Sequence, residues 1–109
     1  MKLPCGDQAL VPEAKIVDYL LSEAHPQGRS KAAFFRRVGF RSEESGALRT
    51  ALLQLATTTD MTEVVFEFGR KYAGIREVVA PSGEMLRVVT GWVLRNDAPP
   101  PMLVTAYPA

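Results

Sequence analysis

One cysteine, one histidine and one tryptophan stand in a chain of 109 residues. A lone Cys5 closes no internal disulfide, which points to a reducing compartment. Cys5 and His25 lie far apart in sequence, too few and too scattered for a zinc site. No apolar run approaches the roughly 18 residues of a membrane span. The first eight residues, MKLPCGDQ, also lack the apolar stretch of a secretory signal. No membrane association and a cytoplasmic location are the expectation. A glycine-rich phosphate loop is missing, because Gly69 and Gly74 have neither a Lys-Ser/Thr partner nor a following helix. Paired-carboxylate chemistry has little support, since Glu43 and Glu44 fall at a helix start, where the dipole favours acids. No metal and no cofactor are expected. A net charge of +1 argues against a broad nucleic-acid-coating surface but leaves room for a compact basic site.

What is present describes one domain spanning 1–109. The chain is 47% hydrophobic and 23% charged, enough to bury a single core without staples. A helical half covers about 12–59 and a strand half about 62–108. The first helix opens at Pro12, carries Ile16, Val17, Leu20, Leu21 and Ala24 on one face, and ends at His25 before Pro26. His25-Pro26-Gln27-Gly28 fits a type I turn. Ser30 N-caps a second helix with Ala32, Phe34, Phe35 and Val38, closed by Gly39. Ser42 caps a third, striped by Leu48, Ala51, Leu52, Leu55 and Ala56, with Thr57 to Asp60 as its exit loop. Met1 to Gln8 reads as a loose arm. Strands are expected at Val64 to Phe68, Lys71 to Ala80, Met85 to Arg95 and Met102 to Tyr107, with Gly69 marking a turn or bulge and Pro81-Ser82-Gly83 a hairpin turn. In the third strand Leu86, Val88, Thr90, Trp92 and Leu94 share one face, and Met85, Arg87, Val89, Gly91, Val93 and Arg95 the other. The class is α+β, with three N-terminal helices packed on one face of a roughly four-stranded antiparallel sheet.

The chemistry concentrates between Tyr19 and Arg41. His25, the lone imidazole, is the residue suited to proton transfer near neutral pH. It is equally explained as a helix-closing residue that hydrogen-bonds its own turn. Arg29, Ser30 and Lys31 meet at a helix N-terminus, where backbone N–H groups and two cations suit a phosphate. The run Arg29, Lys31, Arg36, Arg37, Arg41 is also what a solvated helix face looks like. Phe34 and Phe35 are read as core. Thr105 and Tyr107 alternate onto one face of the last strand, where a hydroxyl and a phenol can position a phosphate. As ordinary strand formers they need no such role.

Tyr19-Leu20-Leu21, His25-Pro26-x-Gly28, Lys31-Ala32-x-Phe34-Phe35, Gly69-x-Lys71-Tyr72, Val89-Thr90-x-Trp92 and the Leu103 to Pro108 ending resemble a family of small bacterial proteins of unknown function, over almost the whole chain. More distantly, helices followed by a four-stranded sheet ending in Thr-x-Tyr-Pro is similar to the barnase, EndoU, colicin and RelE group of RNases, which includes contact-dependent toxins. That resemblance implies His25, Lys31, Thr105 and Tyr107 as catalytic residues, with Arg29 and Arg87 as further candidates. Two functions stay open. One is a metal-independent, toxin-type endoribonuclease acting on RNA. The other is a non-catalytic interaction module, one member of a toxin–antitoxin-like pair, docking its basic helix on an acidic protein partner.

Overall fold

The structure, a computed structural model, describes residues 1–16, 29–40 and 45–109, with backbone alone at 29–32 and 45. The order is a 3-10 turn at Gly6–Gln8, then α1 Glu13–Lys15, α2 Arg29–Arg37, α3 Ser45–Thr58, β1 Thr62–Phe66, β2 Gly69–Val79, β3 Met85–Arg95 and β4 Met102–Pro108. The four strands form an antiparallel meander, β1-β2-β3-β4. The class is α+β. Among the described residues no helix is long and apolar enough to cross a membrane.

One face of the sheet supplies the core. Leu86, Val88, Trp92 and Leu94 of β3, Tyr72 of β2 and Leu103 and Ala106 of β4 pack with Phe35 and Val38 of α2 and Leu48, Leu52, Leu55 and Ala56 of α3. Burying each of the larger side chains contributes about 1.5–3 kcal/mol. α2 also lies against β4. Its end is a Schellman motif. Gly39, at φ 103°, donates to the carbonyl of Arg36, and Phe40 donates to that of Phe35. The rings of Phe35 and Phe40 meet edge to face, 6.0 Å apart. The Val38 carbonyl then accepts from Ser82 N–H, tying α2 to the β2–β3 turn.

Several local expectations are corrected. Pro12 has the helical φ but a ψ of 140°, so α1 begins one residue later. Ser30 lies inside α2, Arg29–Arg37. The expected caps and turn at Ser42 and at His25 to Gly28 lie outside the described residues. α3 runs through Thr57 and Thr58, whose hydroxyls donate back to the Gln54 carbonyl instead of opening a loop. Glu67 and Phe68 form the two-residue turn between β1 and β2, and Gly69 starts β2 at φ 139°.

The N-terminal arm is docked, not loose. Met61 N–H donates to the Met1 carbonyl, and Lys2 Nζ reaches Asp60 Oδ1 at 2.9 Å and the Thr58 carbonyl at 3.1 Å. Leu3 is buried, and Gly6 sits against α3 so closely that a Cβ there would lie 2.5 Å from the Ala56 carbonyl oxygen. Arg49 bonds the Val11 carbonyl and pairs with Glu13, fixing this segment to α3. Further along, Leu10 pairs with the outer edge of β4 through Pro101 and Leu103.

Candidate functional site

The second face of the sheet carries no helix among the described residues. Antiparallel register arranges its side chains in cross-strand rows about 7 Å apart. Val64, Lys71, Val93 and Met102 make one row, and Thr62, Ala73, Gly91 and Thr105 the next. Ile75, Val89 and Tyr107 follow, then Glu77 and Arg87. Much of this face is apolar and in water: Val64 is 58% exposed, Ile75 51%, Val104 41% and Tyr107 41%. A contiguous apolar surface of this kind marks a place of contact.

The second row is where the face sinks. Ala73 and Gly91, the smallest residues, floor a depression of about 260 Å³ walled by Thr62, Val64, Lys71, Val104 and Thr105. It adjoins another, of about 450 Å³, that runs past Thr62 and Ala73 to Ile75, Val89 and Tyr107. A register shift at Gly91/Trp92 makes Val104 the extra residue of β4, setting Val104 and Thr105 side by side on the rim. Thr105 turns its Cγ2 toward Gly91, and its buried Oγ1 has no hydrogen-bond partner among the described residues. Lys71 places Nζ 4.8 Å from the centroid of the Phe66 ring, a cation held at the rim by the ring's π face.

Of the residues singled out from sequence, the described structure brings Thr105, Tyr107 and Arg87 onto this one face. Arg29, Ser30 and Lys31 occupy the first turn of α2, whose Phe35 and Val38 pack on the opposite face; their side chains, like the whole of His25, lie outside the described residues. Phe35 is core as expected. Phe34 is half-buried and packs against the core, with Arg37 5.7 Å over its ring. Sequence reading missed Lys71, Ala73 and Val104. Its available signal was that β3 places valines on both faces, which one buried face does not require.

A second polar cluster ties the far edge of the sheet. Arg70 donates Nη1 to Glu63 Oε1 at 3.0 Å and Nε to Asp97 Oδ1 at 3.0 Å, and Tyr72 donates its hydroxyl to Glu63 Oε2 at 2.8 Å. The two carboxylates raise the Arg70 pKa. Burial, then the hydrogen bond to Glu63, raises that of Tyr72. Near the groove, the Lys2 ammonium holds the Asp60 carboxyl below its usual range.

The contact-dependent growth inhibition toxin–immunity protein complex from Klebsiella pneumoniae 342 contains a chain of the same fold. It aligns with a TM-score of 0.76 at 17% identity, over 91% of this chain and 98% of that one. No curated protein matches the sequence. The model of a domain of unknown function, DUF6883, matches residues 2–109, and the chain belongs to that family.

Proposed function

We propose that this protein is the toxin member of a toxin–immunity-type pair, and that it is a metal-independent endoribonuclease whose working surface is the open sheet face. The observation that carries this reading is that Thr105 and Tyr107 stand in adjacent rows of a face that no helix covers among the described residues, with Lys71 and Arg87 on either side along the strands. A shared fold with a chain of a toxin–immunity complex supports the pairing. In the proposed reaction His25 accepts the 2′-hydroxyl proton, the alkoxide attacks the adjacent phosphorus, and the 5′-oxygen leaves with a returned proton. Lys31 and Arg29 clamp the pentavalent phosphate, Ser30 and the α2 N-terminus add donors, and Thr105 and Tyr107 orient the scissile group. This reading requires the basic segment to reach the open face past β4, against which α2 packs.

Incubating the purified protein with total RNA, beside His25→Ala and Tyr107→Phe variants of matched thermal stability, tests this. The wild type is expected to fragment RNA and both variants to lose most of that activity. Intact RNA with a folded wild type overturns it. The interaction-module reading then stands, favoured by the exposed Val64, Ile75 and Val104 and by cations suited to an acidic protein.

A further inference from the structure

Gly91 lies in mid-strand at a φ outside the left-handed region, and a Cβ there would meet only the Thr105 side chain, at 3.3 Å, and its carbonyl oxygen, at 4.0 Å. Backbone strain does not require glycine here, and the one close neighbour, the Thr105 Cγ2, would have to give by only a few tenths of an ångström. What its missing side chain creates, with Ala73, is the depression on the open face. Glycine within a strand interior marks a bulge or the close approach of another molecule, and the bulge in β4 serves the same depression by lining up Val104 and Thr105.

We propose that this depression is a nucleobase subsite: it holds one base of single-stranded RNA flat on the sheet, with the neighbouring phosphate on Lys71. The inference rests on the ribonuclease reading and adds where the substrate is gripped. At about 260 Å³ the depression is smaller than a drug-sized site and matches a single ring system. Its floor is two small residues, so the ring faces meet backbone and Val64 and Val104 close the sides. Thr62 and Thr105 stand at the two ends of the row. The Thr105 hydroxyl, unpartnered in its inward rotamer, meets a base edge after one χ1 rotation. The rim cation suits a nucleotide, which joins a flat ring to an anion. An acidic protein segment that brings an apolar side chain and a carboxylate is the competing occupant, and titration with nucleotides separates the two. The adjoining depression toward Tyr107 then receives the next unit of the strand. Asp60, the acidic group at its margin, is neutralised by Lys2 at 2.9 Å.

The test is titration of the ¹⁵N-labelled protein with each of the four nucleoside 3′-monophosphates, with inorganic phosphate and ribose 5-phosphate as controls. Saturable amide shifts are expected at Thr62, Ala73, Gly91 and Thr105 with at least one nucleotide, weakened ten-fold or more in Gly91→Val and Ala73→Leu. Both fill the depression from the solvent side, so either can serve if the other fails to fold. Groove amides unmoved by all four nucleotides overturn the subsite and leave this face to a protein partner. Shifts matched by inorganic phosphate, or undiminished in the filled variants, overturn it too. RNA cleavage separates the two readings. Cleavage equal in wild type and Gly91→Val ends the subsite alone. Nucleotide binding in the groove by a wild type that leaves RNA intact ends the ribonuclease reading and keeps the subsite.

Discussion

Tyr72 donates its hydroxyl to Glu63 directly across the β1–β2 pair, at 2.8 Å, while its ring lies in the core. The same carboxylate takes Arg70, so the tyrosine hydroxyl is one of two donors holding the edge strand's inward charge. Tyr72→Phe should cost about 1–2 kcal/mol, the value of a hydrogen bond to a partly solvated charged group. It should also change the alkaline limb. Burial keeps Tyr72 protonated in the folded chain above its ordinary pKa of 10.0. Its contribution is therefore complete below about pH 10 and is lost as pH rises through the higher folded value, because the unfolded chain gives up the proton first. Urea midpoints between pH 8 and 11 should fall less steeply in Tyr72→Phe. Parallel slopes would remove this account of the residue.

Gly6→Ala should loosen the N-terminal clamp. The added Cβ would meet the Ala56 carbonyl oxygen at 2.5 Å, a backbone atom of α3 that cannot rotate aside. A loss of about 1–3 kcal/mol is the expected scale for overpacking against a fixed neighbour. Hydrogen exchange gives a sharper readout, since the Met61 amide is protected by the Met1 carbonyl. Faster exchange there, exceeding the change at β3 amides, is the expected pattern. Unchanged stability would mean that the arm does not depend on this contact.

The clamp also shows what sequence reading can and cannot reach. Periodicity made β3 and its buried face legible, because Leu86, Val88, Trp92 and Leu94 face the helices as a two-residue repeat requires. Gly39 was legible as a helix stop for the same kind of local reason. The N-terminal arm carries no periodic signal; it is held by single backbone contacts at Gly6 and Met1, settled by tertiary fit. Gly69 marked the β1–β2 turn, but Phe68, a strand-forming residue, hid that the turn already opens at Glu67. At the candidate site, alternation alone put Thr105 and Tyr107 together. The depression between Val64 and Thr105 depends on how four strands align and on a one-residue bulge, neither of which any single segment encodes.

Thr90→Val should stabilise the protein. Thr90 is 1% exposed in the core and its Oγ1 has no partner among the described residues. A buried hydroxyl without a hydrogen bond carries a desolvation cost that a methyl of the same shape does not. A gain of about 1 kcal/mol in urea unfolding at neutral pH is expected. A loss instead would show that the hydroxyl is satisfied in solution, for instance by an internal water.

Thr105→Val makes an equivalent change on the open face, where stability and function should part. Oγ1 of Thr105 is also buried without a partner among the described residues, so its replacement by a methyl should leave folding unchanged or slightly improved. Under the ribonuclease reading the same hydroxyl turns outward to meet substrate, and its removal should slow RNA cleavage by about ten- to a hundred-fold, the kinetic equivalent of one hydrogen bond. Thr105→Ser tests which atom matters. Serine keeps the hydroxyl and gives up the Cγ2 that packs toward Gly91, so cleavage should stay within a few-fold of wild type while stability drops modestly. If Val and Ser lose activity equally, the methyl contact that shapes the groove is what counts and the hydroxyl has no part in positioning the phosphate. If neither loses activity in a wild type that cleaves RNA, Thr105 lies on the working face without serving it, and the scissile phosphate belongs nearer Tyr107 and Arg87.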